Sequence, residues 1–170
     1  KQSYVMARML FEKAVAQGDP AAMYNLALLY EKGQGIAQSF KEAVALYTMA
    51  AEQGHVKAMY NLGVLYRDGQ GVEQSDKKAA ELFTMAAEQQ GHVSAMFNLG
   101  NMYREGRGVF QSFEKAAELY TMAAEQGNVD AMTSLGNLYF QGQGVAQSNE
   151  LAREWWTKAA NEGYETAINN

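Results

Sequence analysis

The sequence contains no cysteine, a single proline and few basic residues. The lack of cysteine excludes a disulfide framework and a thiol nucleophile, although it does not indicate a compartment. No apolar run approaches the roughly 18 residues of a membrane-spanning helix, and residues 1–10 lack the order of a secretion signal. Lys and Arg number 14 against 19 Asp and Glu. Because phosphate binding depends on clustered Lys and Arg, we do not expect a nucleic-acid partner. Because no apolar run is long enough, we do not expect direct membrane insertion.

What the sequence has instead is a repeated segment of 36 residues, lengthened once to 37. Self-similarity at such a period is typical of a repeat array, in which one unit cannot bury its apolar face alone. We therefore expect a single array over residues 1–170, opened by the second half of a repeat at 2–18. Four full copies and the start of a fifth follow at 22–57, 58–94, 95–130, 131–166 and 167–170.

Each copy contains two segments with helical spacing of apolar residues. In the copy at 58–94, Met59, Leu62 and Tyr66 fall on one face of a first helix, helix A, over about 57–68. A second helix, helix B, is expected to begin after a serine N-cap and to end at a glycine. The serines are Ser39, Ser75, Ser112 and Ser148, and the glycines are Gly54, Gly91, Gly127 and Gly163. The sequence thus predicts nine helices in an all-α, right-handed superhelix of helix-turn-helix repeats.

Several recurrent residue types are predicted to serve packing. A glycine inside helix A costs about 0.5–1 kcal/mol relative to alanine, which indicates close approach of helix B. These glycines are Gly63, Gly100 and Gly136. Two sets of equivalent methionines are predicted to be core residues, namely Met23, Met59, Met96 and Met132 together with Met49, Met85 and Met122. Trp155 and Trp156 are interpreted as packing residues as well. The additional glutamine before Gly91 is expected to lengthen only that helix B.

The repeated motif resembles the Sel1-like repeat (SLR), a relative of the tetratricopeptide repeat. The matching residues of one copy are Ala58, Met59, Leu62, Gly63, Tyr66, Gly69, Gly71, Val72, Gln74, Ala86, Ala87, Glu88 and Gly91. The resemblance implies superhelices whose helices A line a concave face and which serve as adaptors and scaffolds. One branch of that family carries paired cysteines in each repeat and has been linked to penicillin binding, whereas this chain has no cysteine.

The face of helix A that points away from the core carries the candidate binding residues. An asparagine amide both donates and accepts, so a row of asparagines can hold the backbone of an extended peptide. Helix layers about 10 Å apart match about three extended residues, and Arg67 and Arg104 add guanidinium groups that pair with acidic or C-terminal carboxylates. The candidate residues are Tyr24, Asn25, Leu28, Tyr60, Asn61, Val64, Arg67, Phe97, Asn98, Asn101, Arg104 and Asn137.

The sequence offers no nucleophile beside a base, so we expect a non-enzymatic scaffold without cofactor or metal. His55 and His92 are interpreted as polar loop residues, and the Gly-x-Gly segments as inter-helix turns. The leading hypothesis is a scaffold that binds a peptide in the concave groove. The alternative for the asparagines is that they bridge adjacent helices or are neutral. A structural spacer or end-to-end self-assembling array is the second hypothesis for the whole chain, and a hydrolase of the cysteine-rich type is a distant third.

Overall fold

The computed structural model describes residues 2–168, apart from the side chains of residues 2, 90 and 164–168. Over this part of the chain, nine α-helices form and no strand is present. They are α1 (Gln2–Val15), α2 (Pro20–Lys32), α3 (Phe40–Glu52), α4 (Val56–Asp68), α5 (Asp76–Gln90), α6 (Val93–Glu105), α7 (Phe113–Glu125), α8 (Val129–Gln141) and α9 (Asn149–Ile168). The even-numbered helices are helices A and the odd-numbered ones helices B, so the predicted all-α repeat fold is confirmed.

The chain divides into two compact units between Gln90 and Gly91. In the first unit, α2 packs on α3 and α4 on α5, and α3 also packs on α4. In the second unit, α6 packs on α7, α8 on α9, and α7 on α8. The unit boundary coincides with the additional glutamine, where α5 has 15 residues against 13 in α3 and α7. The predicted lengthening of this helix B is confirmed. No helix within residues 2–168 is long and apolar enough to cross a bilayer.

Serine side chains start the helices B, as predicted. The hydroxyl oxygen of each serine accepts a hydrogen bond from the backbone N–H three residues later, at 3.2–3.3 Å. This bond satisfies one of the N–H groups that a helix N-terminus leaves without a partner. The four capping residues are Ser39, Ser75, Ser112 and Ser148.

Helices A begin at a different kind of cap, which the sequence did not predict. The imidazole Nδ1 of His55 accepts from the backbone N–H of Ala58 at 3.2 Å, and His92 caps α6 in the same way. At the equivalent position before α8, the side-chain oxygen of Asn128 accepts from Ala131 at 2.7 Å. The two histidines are therefore helix caps rather than simple loop residues.

The predicted end of the last helix B at Gly163 is wrong, because α9 continues to Ile168. Each of the other three helix-ending glycines is followed by a residue whose side chain caps the next helix A. These residues are His55, His92 and Asn128. After Gly163 the sequence has Tyr164, which is not a capping residue. Glycine permits the left-handed stop without requiring it, so the helix continues. With 20 residues α9 is the longest helix B, so α5 is not the only lengthened one. Of the predicted start of a further repeat at 167–170, residues 169 and 170 lie outside the described part.

The glycines inside helix A make room for an aromatic residue of helix B, as predicted. A Cβ atom placed on Gly63 would lie 2.8 Å from Cε1 of Phe83, well inside van der Waals contact. The corresponding distances are 2.7 Å from Gly100 to Tyr120 and 2.6 Å from Gly136 to Trp156. The half-buried Trp156 thus fills the packing position that Phe83 and Tyr120 occupy in their repeats.

The two sets of methionines differ in exposure. Those of helix A are buried, with at most 5% of their surface exposed. Those of helix B, Met49, Met85 and Met122, are 44%, 42% and 47% exposed, so their predicted core position is wrong. Met49 follows the fully buried Tyr47 by two residues, which is about 200° around a helix. It therefore points away from the face of α3 that packs on α2.

In three of the Gly-x-Gly turns the second glycine lies against the backbone of the preceding repeat. A Cβ atom on Gly71 would lie 2.5 Å from the carbonyl carbon of Phe40, and one on Gly35 would lie 2.8 Å from that of Tyr4. Gly144 has the same relation to Phe113. Because all three glycines also have a positive φ, the Gly-x-Gly segments are explained by turn geometry and by close backbone packing.

Candidate interaction face

The twelve predicted contact residues all lie on helices A, and none of them is buried. Eleven are half-buried and Asn137 is exposed. We call the surface that these residues form in each unit the helix A face. In the first unit its residues are Tyr24, Asn25, Leu28, Tyr60, Asn61, Val64 and Arg67, and in the second unit they are Phe97, Asn98, Asn101, Arg104 and Asn137.

A buried tyrosine hydroxyl connects two helices A in the first unit. Tyr47 on α3 is fully buried, and its hydroxyl donates to Oε2 of Glu31 on α2 at 2.6 Å. The same hydroxyl oxygen accepts from Nδ2 of Asn61 on α4 at 3.0 Å. A hydroxyl both donates and accepts, so the buried oxygen is satisfied on both sides. Sequence reasoning missed Glu31 and Tyr47, although a tyrosine at a position occupied elsewhere by Phe83 or Trp156 indicates a hydroxyl that needs a partner.

The tyrosine hydroxyls of this cluster stay protonated at ordinary pH. Burial raises the pKa of Tyr47, and its hydrogen bond to the Glu31 carboxylate raises that pKa further. Burial also raises the pKa of Tyr24, against the opposing effect of a hydrogen bond with Asn61. Both hydroxyls therefore remain neutral donors beside the carboxylate, and neither compensates its charge.

The second unit has a related arrangement around Tyr120. The hydroxyl of this fully buried residue donates to Oδ1 of Asn101 at 2.7 Å. Burial raises the pKa of Tyr120 to about 12, and a hydrogen bond with Ser134 acts in the opposite direction. Ser134 is the equivalent of Asn61, so the same position of the next helix A influences the buried tyrosine in both units. The carboxylate of the first unit is replaced here by a neutral amide.

The asparagines of the helix A face do not form a uniform row of available amides. Asn61 and Asn101 are bonded to buried tyrosines, and Asn98 donates to the backbone carbonyl of Ser94 on its own helix at 2.8 Å. Within residues 2–168, neither Asn25 nor Asn137 forms a side-chain hydrogen bond. The bridging role that was the alternative interpretation of the sequence therefore applies to two of the five predicted asparagines.

The aromatic residues of the face rest on the repeat core. The Tyr24 ring stacks on the His55 imidazole with centroids 4.7 Å apart. Tyr60 lies tilted against Phe83 at 5.7 Å, and Phe97 lies tilted against Tyr120 at 5.9 Å. Each ring is thus held in place on one side and half-exposed on the other, which gives the face rigid aromatic surface.

The two arginines of the face are paired with acidic residues next to them in sequence. The Nε and Nη2 atoms of Arg67 donate to the two carboxylate oxygens of Asp68 at 2.7 and 3.0 Å. Arg104 is paired with Glu105, which also lies 3.9 Å from Arg107. A partner carboxylate at either arginine has to compete with this local partner.

A cleft of about 170 Å³ lies in the helix A face of the first unit. Glu31 of α2 lines one side, and the remaining lining residues belong to α4 and the following turn. Those residues are Tyr60, Asn61, Val64, Leu65 and Gln70. Three of them, Tyr60, Asn61 and Val64, are among the predicted contact residues. The structure therefore brings these predicted residues together around a carboxylate that the sequence had not singled out.

A second, wider cleft of about 410 Å³ lies where α4 is followed by its turn and α5. Tyr66 and Lys78 line it, with the Lys78 ammonium 4.9 Å from the centre of the Tyr66 ring. None of the predicted contact residues belongs to it. In the described part of the chain, no group of three or more His, Asp or Glu side chains is arranged to hold a metal ion.

Comparison with protein families finds a match to the Sel1 repeat. Five copies are matched, at residues 1–19, 20–55, 56–91, 93–128 and 129–164. The second to fifth copies each begin at the first residue of a helix A, and the five copies together cover nearly the whole chain. None of the curated proteins compared with this chain matches it.

Solved structures of repeat proteins are similar to this chain. A protective antigen of uropathogenic Escherichia coli that displays an SLR fold is 39% identical, with a TM-score of 0.88 over 90% of this chain and 32% of its own. A Sel1 repeat protein from Oxalobacter formigenes is 35% identical, with a TM-score of 0.88 over 93% of this chain and 65% of its own. This chain therefore spans about a third of the length of the first relative and just under two thirds of that of the second.

A cysteine-rich protein shares the fold at lower similarity. Cysteine rich protein B of Helicobacter pylori is 20% identical, with a TM-score of 0.58 over 73% of this chain and 93% of its own. At this level the likeness concerns the fold alone. The names of the three structures denote repeat, antigen or cysteine-rich proteins, and none of them denotes an enzyme.

Proposed function

Since this chain belongs to the Sel1 repeat family, whose members typically serve as protein–protein interaction scaffolds, we propose that it is a non-enzymatic scaffold that binds an extended peptide. The peptide lies against the helix A faces. Half-exposed aromatic rings, amides and aliphatic side chains there offer the mixture of apolar and hydrogen-bonding surface that peptide recognition uses.

The cleft beside Glu31, Tyr60 and Val64 is the observation that carries this proposal. It is a concave site, and two of its side chains are held in place by helix B residues. The Tyr60 ring packs against Phe83, and Asn61 is hydrogen-bonded to Tyr47. Anchored side chains lose little conformational entropy when a partner binds, which favours affinity. Asn25 and the exposed Asn137 retain amides that can bond a peptide backbone.

Selection from a random peptide phage library on the immobilised chain tests the proposal. We expect a family of related peptides to be enriched and to be released by an excess of the free chain. Introducing Val64→Lys, which places a long charged side chain in the cleft, should reduce binding of these peptides by about tenfold or more, as expected for loss of a central contact. Met49→Lys, at a 44% exposed site on α3, is the matched control and should leave binding unchanged.

Two outcomes count against a peptide site on the helix A face. One is the absence of any enriched peptide. The other is an equal effect of Val64→Lys and Met49→Lys, which would place the binding surface elsewhere or attribute the loss to charge alone. Thermal unfolding of both variants verifies that they remain folded.

A second candidate function, self-association, is supported by the exposed apolar surface of α1. Met6 and Leu10 are each 65% exposed. Moreover Ala7, Phe11 and Ala14 are only half-buried, whereas their equivalents in α3 are fully buried against α2. We propose as the alternative that this apolar surface of α1 packs against a second copy of the chain.

Light scattering over a range of protein concentrations tests self-association. A mass that rises with concentration in the unmodified chain, and that falls to the monomer value in Leu10→Glu, supports the array. Met122→Glu, which places the same charge at a 47% exposed site of α7, is the control. A mass that stays at the monomer value at all concentrations contradicts this alternative.

A further inference from the structure

The Glu31 carboxylate is the feature of the cleft that the scaffold role leaves unexplained. It is half-buried, and among the described residues that line the cleft it is the only charged one. Its one hydrogen bond within the described residues comes from the Tyr47 hydroxyl, a neutral donor. Across the same part of the chain, no Lys, Arg or His lies within ion-pair distance of it. The negative charge is therefore held in a fixed position without compensation.

Equivalent positions in the other repeats are compensated or uncharged. Arg67 and Arg104 replace Glu31 in the next two copies, and each of them is paired with an adjacent acidic residue. In the last copy the position is Phe140. Of the charged residues at this position, Glu31 is thus the one that has no counter-ion within the described residues, and its charge is negative.

The rest of the cleft suits the stem of a long side chain. Val64 and Leu65 form an apolar wall, and the half-exposed ring of Tyr60 lies beside them. Asn61 donates one Nδ2 hydrogen to Tyr47, and its side-chain oxygen is an acceptor at the edge of the cleft. The volume of about 170 Å³ is below the roughly 300–1,000 Å³ of a small-molecule pocket and fits a single side chain.

We propose that this cleft is the subsite for a lysine or arginine side chain of the bound peptide, with Glu31 as its counter-ion. This inference rests on the proposed peptide-binding function and names the chemistry of its ligand. The aliphatic stem of the incoming residue packs on Val64 and Leu65, as the stems of cationic residues do on apolar surface. The cationic group meets the Glu31 carboxylate and the Tyr60 ring, which attract it by charge and by the ring quadrupole.

The preference is opposite to the acidic or carboxylate-terminated partner expected from Arg67 and Arg104. Those two guanidinium groups are already engaged, whereas Glu31 is not engaged by a cation. The net charge of −5 adds a long-range attraction for a basic segment. A basic peptide is therefore the partner that the charges of the first unit favour.

Peptide selection with a charge-altered cleft tests the inference. Peptides from a random phage library that bind the unmodified chain should share a lysine or arginine at one position. Glu31→Gln keeps an oxygen that accepts from Tyr47 and should weaken those peptides by about 3–10-fold, the range for one partly exposed ion pair. Selection on Glu31→Lys should instead enrich aspartate or glutamate at that position.

A matched variant and a salt titration separate this effect from general electrostatics. Glu88→Gln changes the net charge equally at an exposed site of α5 and should alter affinity by less than twofold, or about 0.4 kcal/mol. Raised salt should weaken binding to the unmodified chain more than binding to Glu31→Gln.

The two proposals fail in different ways. If peptides are enriched but show no shared cationic position, or bind Glu31→Gln and the unmodified chain equally, the cationic subsite is wrong while the peptide-binding function stands. If no peptide is enriched on any form of the chain, both proposals are wrong.

Discussion

The Tyr47 hydroxyl donates a 2.6 Å hydrogen bond to Oε2 of Glu31, a residue sixteen positions earlier on the other helix of the same repeat. The ring of Tyr47 is part of the fully buried core, whereas Glu31 lines the cleft of the helix A face. Tyr47 is therefore part of the buried core and also fixes the position of the Glu31 carboxylate at the cleft.

Tyr47→Phe removes a hydroxyl that donates to Glu31 and accepts from Asn61. We expect it to destabilise the chain by about 2 kcal/mol, at about 1 kcal/mol for each of the two hydrogen bonds. The ring is retained, and Phe83 shows that phenylalanine fits the equivalent position. The melting temperature measured by circular dichroism should fall by about 4–8 °C. Tyr30→Phe removes a hydroxyl that has no hydrogen bond within the described residues, so it serves as control. Equal melting temperatures for the two variants would show that the Tyr47 bonds make no net contribution.

Two glycine-to-alanine substitutions inside helices are expected to act in opposite directions. Gly63→Ala brings a Cβ atom to 2.8 Å from the Phe83 ring, and the overpacking should outweigh the gain in helix propensity and cost about 1–2 kcal/mol. Gly163→Ala meets nothing closer than a methyl of Val129 at 3.9 Å and should stabilise α9 by about 0.5–1 kcal/mol. Denaturant unfolding measures both. A stabilising Gly63→Ala would contradict the close-packing role, and adding Phe83→Leu to it should recover part of the lost stability.

Alanine substitution of the asparagines is expected to separate structural from available amides. Asn61→Ala removes a bond to the buried Tyr47 hydroxyl and should cost about 0.5–1.5 kcal/mol. Asn25→Ala should change stability by less than about 0.5 kcal/mol, because its amide has no hydrogen bond within residues 2–168. Asn25 is the equivalent of Asn61, but the residue of α1 equivalent to Tyr47 is Phe11, which has no hydroxyl that could accept from the Asn25 amide. Chemical unfolding of both variants provides the comparison, and equal stability loss would refute the distinction.

Stability is expected to decline as the pH falls below about 6.5, because the α4 cap depends on a neutral imidazole. Burial lowers the pKa of His55 from its ordinary value of 6.5, Lys57 lowers it as well, and Asp19 acts in the opposite direction. The folded chain thus binds this proton more weakly than the unfolded chain does. The contribution is complete above the unfolded pKa and is lost as the pH falls through the folded pKa. Protonation turns the accepting Nδ1 into a donor and removes the cap.

Melting temperatures between about pH 7.5 and about pH 5.5 measure this dependence. Its size is at most the ~1 kcal/mol of an N-cap, reduced because the imidazole is partly exposed. His55→Asn introduces the side chain that caps α8 as Asn128, and it should flatten the pH dependence while it retains the cap. His92→Asn is the matched variant at α6. An unchanged slope in His55→Asn would exclude this residue as the source.

The helices and their packing follow from features that the sequence repeats. The spacing of Met59 and Leu62 sets the buried face of α4, at whose edge Tyr66 is half-buried. The serine caps and the helix A glycines recur in copy after copy. Such features depend on neighbours within one repeat, so the period alone is sufficient to predict them. The exposure of Met49 was predicted wrongly because an apolar side chain beside a buried stripe was assumed to belong to it.

The candidate site was less predictable, because it depends on residues that differ between copies. Glu31 has arginine equivalents, and Tyr47 has a phenylalanine equivalent. Their hydrogen bond joins two positions whose proximity no helical period reveals. The positions of Tyr60, Asn61 and Val64 on an accessible face were predicted from geometry about one helix axis. The cleft and its charge required the packing of α2, α3 and α4 against one another.

The backbone contact at Gly71 has a consequence for how such chains can be divided and recombined. The turn of one repeat rests on the start of the preceding helix B, so adjacent repeats interlock across their sequence boundary. If the chain is cut at that boundary, the start of helix B is separated from the glycine of the next repeat that packs against it. Transplantable modules of this fold should therefore run from one Gly-x-Gly turn to the next. Each module then contains both the start of a helix B and the glycine that packs against it.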